Sequence, residues 1–204
     1  MPTRRLKTLQ RRVRQLESRF LPKVNPTGLY SQRQYDGVRA YVVLTHAEVE
    51  SYVEDVAQDI LLAAKTRWQN SQRTGRCIAA LMLYGARSVQ PPKAVVRQTN
   101  NDTFEAHVVR LLSEHERYVS HDNHGIKEKN LLSVLLPVGV LEADLDPVWL
   151  ATMNSFGGQR GAVAHNSVIK VQTPPDPQQM RQTIADILLG LETLEPVLLK
   201  LKRK

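Results

Sequence analysis

In the stretch GQRGAVAHNS (158–167), an arginine and a histidine, Arg160 and His165, stand five positions apart among glycines and alanines. These are the residue types that cleavage of a phosphodiester calls for. A histidine, whose unperturbed pKa lies near neutrality, can take the proton from a ribose 2′-hydroxyl or give one to a leaving 5′-oxygen. An arginine can hold the phosphate through two parallel hydrogen bonds and stabilise charge building on its oxygens. Neither step requires a metal. On a helix, positions five apart lie about 140° around from each other, so both long side chains can reach around one edge into a shared groove. Gly161, Ala162, Val163 and Ala164 between them would leave that groove open. With a helix start near Gly158, Arg160 would sit in the first turn, where free backbone N–H groups favour an anion. Spacing alone also fits a plainer reading, a helix start with two surface polar residues.

Other constellations are weaker. His121 and His124, with His115 upstream, could contribute to a zinc site, but no further ligand stands at a diagnostic spacing, and Asp122, Asn123 and Gly125 are what a helix-to-helix corner needs. His46, followed by Glu48 and Glu50, reads as the solvated or interfacial face of a long helix. Neither GxxxxGK[ST] nor GxGxxG occurs, and Ser51, Ser113 and Ser155 lack the context of a nucleophile elbow, which argues against an ATPase, a dehydrogenase and a serine hydrolase. The single cysteine, Cys77, forbids an internal disulfide and reads as a small buried hydrophobe. No metal and no cofactor is implied.

The elements that must position the pair are helical. In residues 3–20, Leu6, Leu9, Val13, Leu16 and Phe20 form an apolar stripe on a basic helix, suited to docking on the body or on a second copy. Pro22, Pro26 and Gly28 then break the chain, and a long helix is expected from about Ser31 to Arg67, with TRWQNSQRTGR (66–76) as a polar loop. Pro91-Pro92 interrupts the next stretch, and an amphipathic helix is expected from Asp102 to about Ser120, with Asp102 or Thr103 near its N-cap. A short apolar helix closes at Pro137 and Gly139. Asp146-Pro147 and Asp176-Pro177 each read as an N-cap followed by proline at the first helical position. A kink is expected at Pro196 in the last helix. Strand-like alternation is confined to short runs such as VIKVQ (168–172). The expected fold is all-α: a single bundle over residues 26–204 behind a basic amphipathic helix and linker over 1–25.

The charge is concentrated at the two ends. Of a formal +8, residues 1–20 carry +6 (Arg4, Arg5, Lys7, Arg11, Arg12, Arg14 and Arg19 against Glu17), and the tail KLKRK adds four positive charges, so residues 21–199 are nearly neutral at −2. Cationic ends can neutralise phosphates and draw in RNA or DNA, or simply form a solvated face. No apolar run is long enough to cross a bilayer, and the N-terminus lacks a signal-peptide core, so a cytoplasmic location with no membrane association is expected.

Arg160, GAVA and His165 resemble the R-x4-6-H signature of the HEPN superfamily. Two further blocks, VVLTHAEVESYVEDVA (42–57) and HDNHGIKEKNLLSVLLPVGV (121–140), resemble the long early helix and the following glycine- and leucine-containing segment of its RiboL-PSP-HEPN subgroup. The resemblance covers most of residues 31–170, with the basic N-terminal helix outside it. It implies a metal-independent endoribonuclease of the toxin or phage-defence (abortive-infection) kind, with Arg160 and His165 as the catalytic pair. It further implies a homodimer whose two motifs face one composite cleft, products ending in a 2′,3′-cyclic phosphate and a 5′-hydroxyl, and transfer RNA as a candidate substrate. An antitoxin or other defence-system protein is the partner it suggests. Where many such domains carry a polar residue after the arginine, this chain has Gly161; Gln159 or Asn166 would then supply the hydrogen bonding. Arg4, Arg5, Arg11 and Arg12 are the candidate RNA contacts. Two other readings stay open: a catalytically inactive module binding a partner protein and nucleic acid, and a helix-turn-helix DNA binder.

Overall fold

The computed structural model describes residues 2–85, 103–165 and 175–203, without the side chains of residues 85, 164 and 165. Among the described residues there are seven α-helices and no strand: α1 (Arg4–Phe20), α2 (Gln32–Ser71), α3 (Arg76–Gly85), α4 (Phe104–Arg117), α5 (Glu128–Leu135), α6 (Pro147–His165) and α7 (Pro177–Arg203). The chain is thus all-α, as its periodicity implies. None of these helices is long and apolar enough to cross a membrane. Two compact units share the chain: Met1–Val53 with Gly125–Lys129 and Leu145–Glu195, and Glu54–His124 with Asn130–Asp144 and Pro196–Lys204.

In the first unit, α1 is tied down along its length. Leu6, Leu9, Val13 and Leu16, the stripe set by the three- and four-residue spacing, are all buried, so within one chain the stripe already has a partner. The Thr3 side chain caps the helix by accepting from the Leu6 N–H. Thr3 also donates from its backbone N–H and its hydroxyl to the buried Glu195 carboxylate of α7. Arg12 reaches Glu48 at 2.9 Å and Arg181 reaches Glu17 at 2.7 Å. At the start of α6, Asp146 accepts from the Val148 N–H and Pro147 takes the first helical position, as the sequence signal implies. Trp149 donates its indole N–H to Ile187 O at 3.2 Å. Its ring lies so close to Gly190 that a Cβ there would fall 2.0 Å from Trp149 Cδ1.

In the second unit, the last part of α2 differs from expectation. The helix runs to Ser71, and the connection is only residues 72–75. The polar run at 66–71 is the exposed side of a helical turn whose other side buries Trp68, which meets Phe104 edge-on at 5.6 Å. Helix α4 begins behind Thr103, whose side chain accepts from Ala106 N–H, and passes into a π-helical turn at Tyr118–Asp122. Gly139 adopts φ +102° and packs against the Arg76 and Leu201 side chains, closing the α5 segment. Helix α7 continues through Pro196, the position of the expected kink. Pro91-Pro92, Asp102 and VIKVQ (168–172) lie outside the described residues.

Candidate active site

Arg160 lies on α6, but not in its first turn. The helix begins at Pro147 and passes straight through Gly157-Gly158, so Arg160 is in its later half. The backbone N–H groups around it are spent inside the helix, and the expected help from a helix N-terminus for anion binding does not apply. Gly157 reflects packing instead of chain breaking: a Cβ there would stand 2.8 Å from Lys127 Cγ. At Gly158 and Gly161, by contrast, an added Cβ would meet nothing within 4 Å. By backbone position, residue 165 falls on the same side of α6 as these two, seven and four residues back. Among the described residues, then, nothing packs against that edge at the two glycines. The side chain of His165 and the whole of Asn166 lie outside the described residues.

Helix α2 runs antiparallel to α6 here. Arg39 donates to Val163 O at 2.9 Å, and the His46 ring faces the Phe156 ring at 6.1 Å, so rising numbers on one helix meet falling numbers on the other. Arg160 stands between those two levels. Long helical side chains lean back toward the N-terminus of their own helix. Arg160 on α6 and Glu50 on α2 therefore both lean toward the level of His46.

That convergence shows in the electrostatics. His46 is almost fully buried, and its Nδ1 stands 3.5 Å from Glu50 Oε2. The Glu50 carboxyl is held below the usual carboxylate range, chiefly by the neighbouring His46, with partial burial opposing; the charge of Arg160 and the backbone N–H of Gly125 add to the lowering. Glu50 is thus the anion of a small polar cluster whose cation, Arg160, acts on it through space. Among the described residues, His46 Nδ1, the neighbouring Thr45 Oγ1, Gln159 Oε1 and Arg160 Nε are buried polar atoms without a hydrogen-bond partner. Such atoms are rare in folded proteins, where about nine in ten buried polar groups are satisfied.

The sequence places His46 in the family-like block at 42–57, where it reads, with Glu48 and Glu50, as a solvated or interfacial face, with no role beside Arg160. The signal available was the four-residue spacing of His46 and Glu50 on one face of the helix. The histidines that spacing favoured behave otherwise. His115 is buried in the second unit with its ring nitrogen on Val134 O at 3.2 Å, while His121 and His124 are exposed. Among the described residues no group of three metal-ligating side chains comes together.

The candidate RNA contacts of α1 divide. Arg4 and Arg11 are exposed and line a shallow concavity with Lys7 and Thr8. Arg12 is held by Glu48. Arg5 is half-buried and acts on the buried Tyr52 hydroxyl. Cys77 is buried, and burial pushes its thiol up to about 12, consistent with a core residue.

The described residues form a seven-helix, strand-free architecture with Arg160 and residue 165 on one late helix, which is that of a HEPN-type domain. The particular family follows from comparison: residues 7–198 match RiboL-PSP-HEPN, and the chain belongs to that family. The match begins within α1, so most of the basic helix is part of the family region. No curated protein and no solved structure matches the chain. HEPN domains are often ribonucleases, although members of this family can be inactive.

Proposed function

We propose that the protein is a metal-independent endoribonuclease. His165 takes the proton of a ribose 2′-hydroxyl, the 2′-oxygen attacks phosphorus, and the bond from phosphorus to the 5′-oxygen breaks as that oxygen gains a proton. The ends are a 2′,3′-cyclic phosphate and a 5′-hydroxyl. Arg160 binds the phosphate and opposes the charge that builds on its oxygens. One imidazole cannot readily be base and acid in the same step, so two copies of the chain, each contributing a motif to a shared cleft, divide the proton transfers. Gln159 and Asn166 supply hydrogen bonds beside the pair. Arg4 and Arg11 on the exposed face of α1 take backbone phosphates, with Arg5 and Arg12 more firmly engaged in the fold. Transfer RNA is the substrate the family resemblance suggests. A toxin or phage-defence role, restrained by an antitoxin or defence-system partner in the cytoplasm, follows from the same source.

The observation that carries this reading is Arg160, a half-buried guanidinium whose Nε lacks a partner among the described residues, on the helix that also bears His165. The test is RNA cleavage in EDTA, with end-group analysis. Wild type should cut, and His165→Ala should cut about 10²- to 10⁴-fold more slowly, the usual range for loss of a general acid or base. Cleavage that needs a divalent cation, or equal cutting by His165→Ala, defeats the mechanism.

A second reading draws on Glu50, whose negative charge offsets the charge Arg160 would bring to a phosphate. On that reading the domain is a non-catalytic module that binds a partner protein and nucleic acid. Expression separates the two: a ribonuclease slows growth in a His165-dependent way, and a module does not.

A further inference from the structure

The corner between α1 and α2 carries a pair of tyrosines that neither the core nor the proposed chemistry uses. Tyr30 and Tyr35 meet edge to face, with ring centroids 5.7 Å apart at 72°, and both are only half-buried. The loop that bears Tyr30 is closed by Asn25. Its side-chain oxygen accepts from Thr27 N–H at 3.1 Å, its amide donates to Leu29 O at 2.7 Å, and its carbonyl accepts from Gly28 N–H at 2.9 Å. Gly28 supplies the φ of +68° that the turn needs. The Asn25 N–H then donates to the Tyr30 hydroxyl at 3.0 Å, which ties the ring to this frame. Two rings are thus held in place at the surface, where burial does not account for them.

Their position relates them to α6. Tyr35 stands four residues before Arg39, on the same face of α2, and Arg39 donates to Val163 O at 2.9 Å. The contacts of Arg39 with Val163 and of His46 with Phe156 are seven residues apart on both helices, which run antiparallel. Carried two residues further along α6, that register sets the backbone of residue 165 between the levels of Arg39 and Tyr35. Helices in contact lie about 8–10 Å apart, so the tyrosines flank the end of α6 at the scale of a neighbouring nucleotide. The charge suits one as well: residues 18–40 hold Arg19, Lys23, Arg33 and Arg39 against Asp36, a net +3, and Arg19, Lys23 and Arg33 are exposed.

We propose that Tyr30 and Tyr35 form a stacking platform for an unpaired base of single-stranded RNA, beside the end of α6 that bears His165. Aromatic rings fixed among cations are the means by which proteins hold single strands: the rings take the flat faces of the bases and the cations take the phosphates. Every base has such a face, so the platform selects for an unpaired strand and not for a sequence. A base inside a duplex is already stacked on its neighbours and is not free to leave them. The substrate class is therefore single-stranded or looped RNA. That the strand held here is the one cut rests on the ribonuclease reading; the stacking itself does not.

The experiment measures binding by the full chain, wild type and Tyr35→Leu, through fluorescence anisotropy at low salt. The probe is a labelled oligodeoxythymidylate, which has no 2′-hydroxyl and so is not cut by the proposed reaction. Two further probes of the same length are an abasic strand, which keeps the phosphates and lacks the bases, and a DNA duplex. Tyr35→Leu should bind the thymidylate strand about five- to a hundredfold more weakly, the range for loss of one base–aromatic stack. The abasic strand and the duplex should bind both proteins alike, and Tyr35→Phe, which keeps the ring, should bind the thymidylate strand as wild type does. Equal binding of the thymidylate strand by wild type and Tyr35→Leu overturns the proposal. So does an equal loss on all three probes, which would make Tyr35 a structural residue only, or a wild type that does not distinguish the base-bearing strand from the abasic one. If Tyr35→Leu does not fold, Tyr30→Leu is read in the same way. In cleavage of single-stranded RNA in EDTA, KM of the variant should rise by the factor lost in binding. Should wild type cut no RNA, the ribonuclease reading fails, and the three probes still decide whether the tyrosines stack a base.

Discussion

His46 and His115 are both buried histidines on helices, yet their surroundings give them opposite work. His115 stands in the second unit, stacked on Tyr118 at 5.8 Å with its ring nitrogen on a backbone carbonyl. Burial depresses its pKa, and its one polar contact is with a neutral group. That is a histidine used as a core side chain with one hydrogen bond. His46 stands beside Glu50, in a cluster that includes Arg160 and retains polar atoms without partners. The difference between the two residues lies in what remains unsatisfied around them, since both are buried.

Replacing each by leucine separates them most sharply. His115→Leu leaves the Val134 carbonyl without its partner and should destabilise the fold by about 1–3 kcal/mol, with kcat for RNA cleavage unchanged. His46→Leu removes the nearest neighbour of the Glu50 carboxylate, in the cluster that bears on Arg160, and should lower kcat about tenfold. Urea denaturation and steady-state kinetics on the two proteins check this. Equal kcat in both would erase the distinction and return His46 to the core.

How much of this was legible beforehand depends on what each feature needs. Helix ends set by local chemistry could be read: Thr103 as a cap, and Asp146-Pro147 and Asp176-Pro177 as starts. The stripe of α1 could be read too, because burial of every third or fourth residue is local. Gly157-Gly158 misled, since a glycine that serves close packing against Lys127 looks in sequence like one that ends a helix. The loop expected at 66–76 failed for a related reason, as an exposed helical face has the composition of a loop. Arg160 could be named because its motif is compact. Glu50 could not, because its meaning depends on Gly125 and on Arg160, 75 and 110 positions further along the chain. Only the fold puts those side by side.

The same comparison extends to acid. The His115 pKa is lowered in the folded state from an ordinary value of 6.5. As pH falls through 6.5 the unfolded chain takes up the proton first, so this residue's contribution to stability is lost from there down to its folded pKa. Glu50 is also lowered, from an ordinary carboxyl value of 4.5. Its stabilisation is present above 4.5 and is lost as pH falls through its folded pKa. A tenfold change in a group's acidity on folding is worth about 1.4 kcal/mol at full expression. Denaturation midpoints followed from pH 7.5 downward should therefore show two separable losses. His115→Leu should remove the one that begins near 6.5, and Glu50→Gln the one that begins near 4.5. A His115→Leu protein that still loses stability near 6.5 to the full extent would mean that another histidine carries that step.

The smallest effect compares two levels of one face of α6, packed at Gly157 and open at Gly161 one helical turn later. At Gly161 an added Cβ meets nothing within 4 Å, so Gly161→Ala gains only the lower backbone entropy of the unfolded chain and should stabilise by about 0.5–1 kcal/mol. At Gly157 the same Cβ would approach Lys127 Cγ at 2.8 Å and Lys127 N at 3.4 Å. The lysine side chain can shift, yet the backbone nitrogen leaves less room, so Gly157→Ala should gain less or lose stability. Thermal midpoints of the two variants check the contrast. Gly161→Asn then asks the functional question at a position where a Cβ meets none of the described residues. It places a polar group directly after Arg160, where many HEPN domains have one, and should raise RNA cleavage by a few-fold if Gln159 and Asn166 only partly fill that role. No change would mean that glycine here costs the reaction nothing, and that the open edge matters more than a further hydrogen bond.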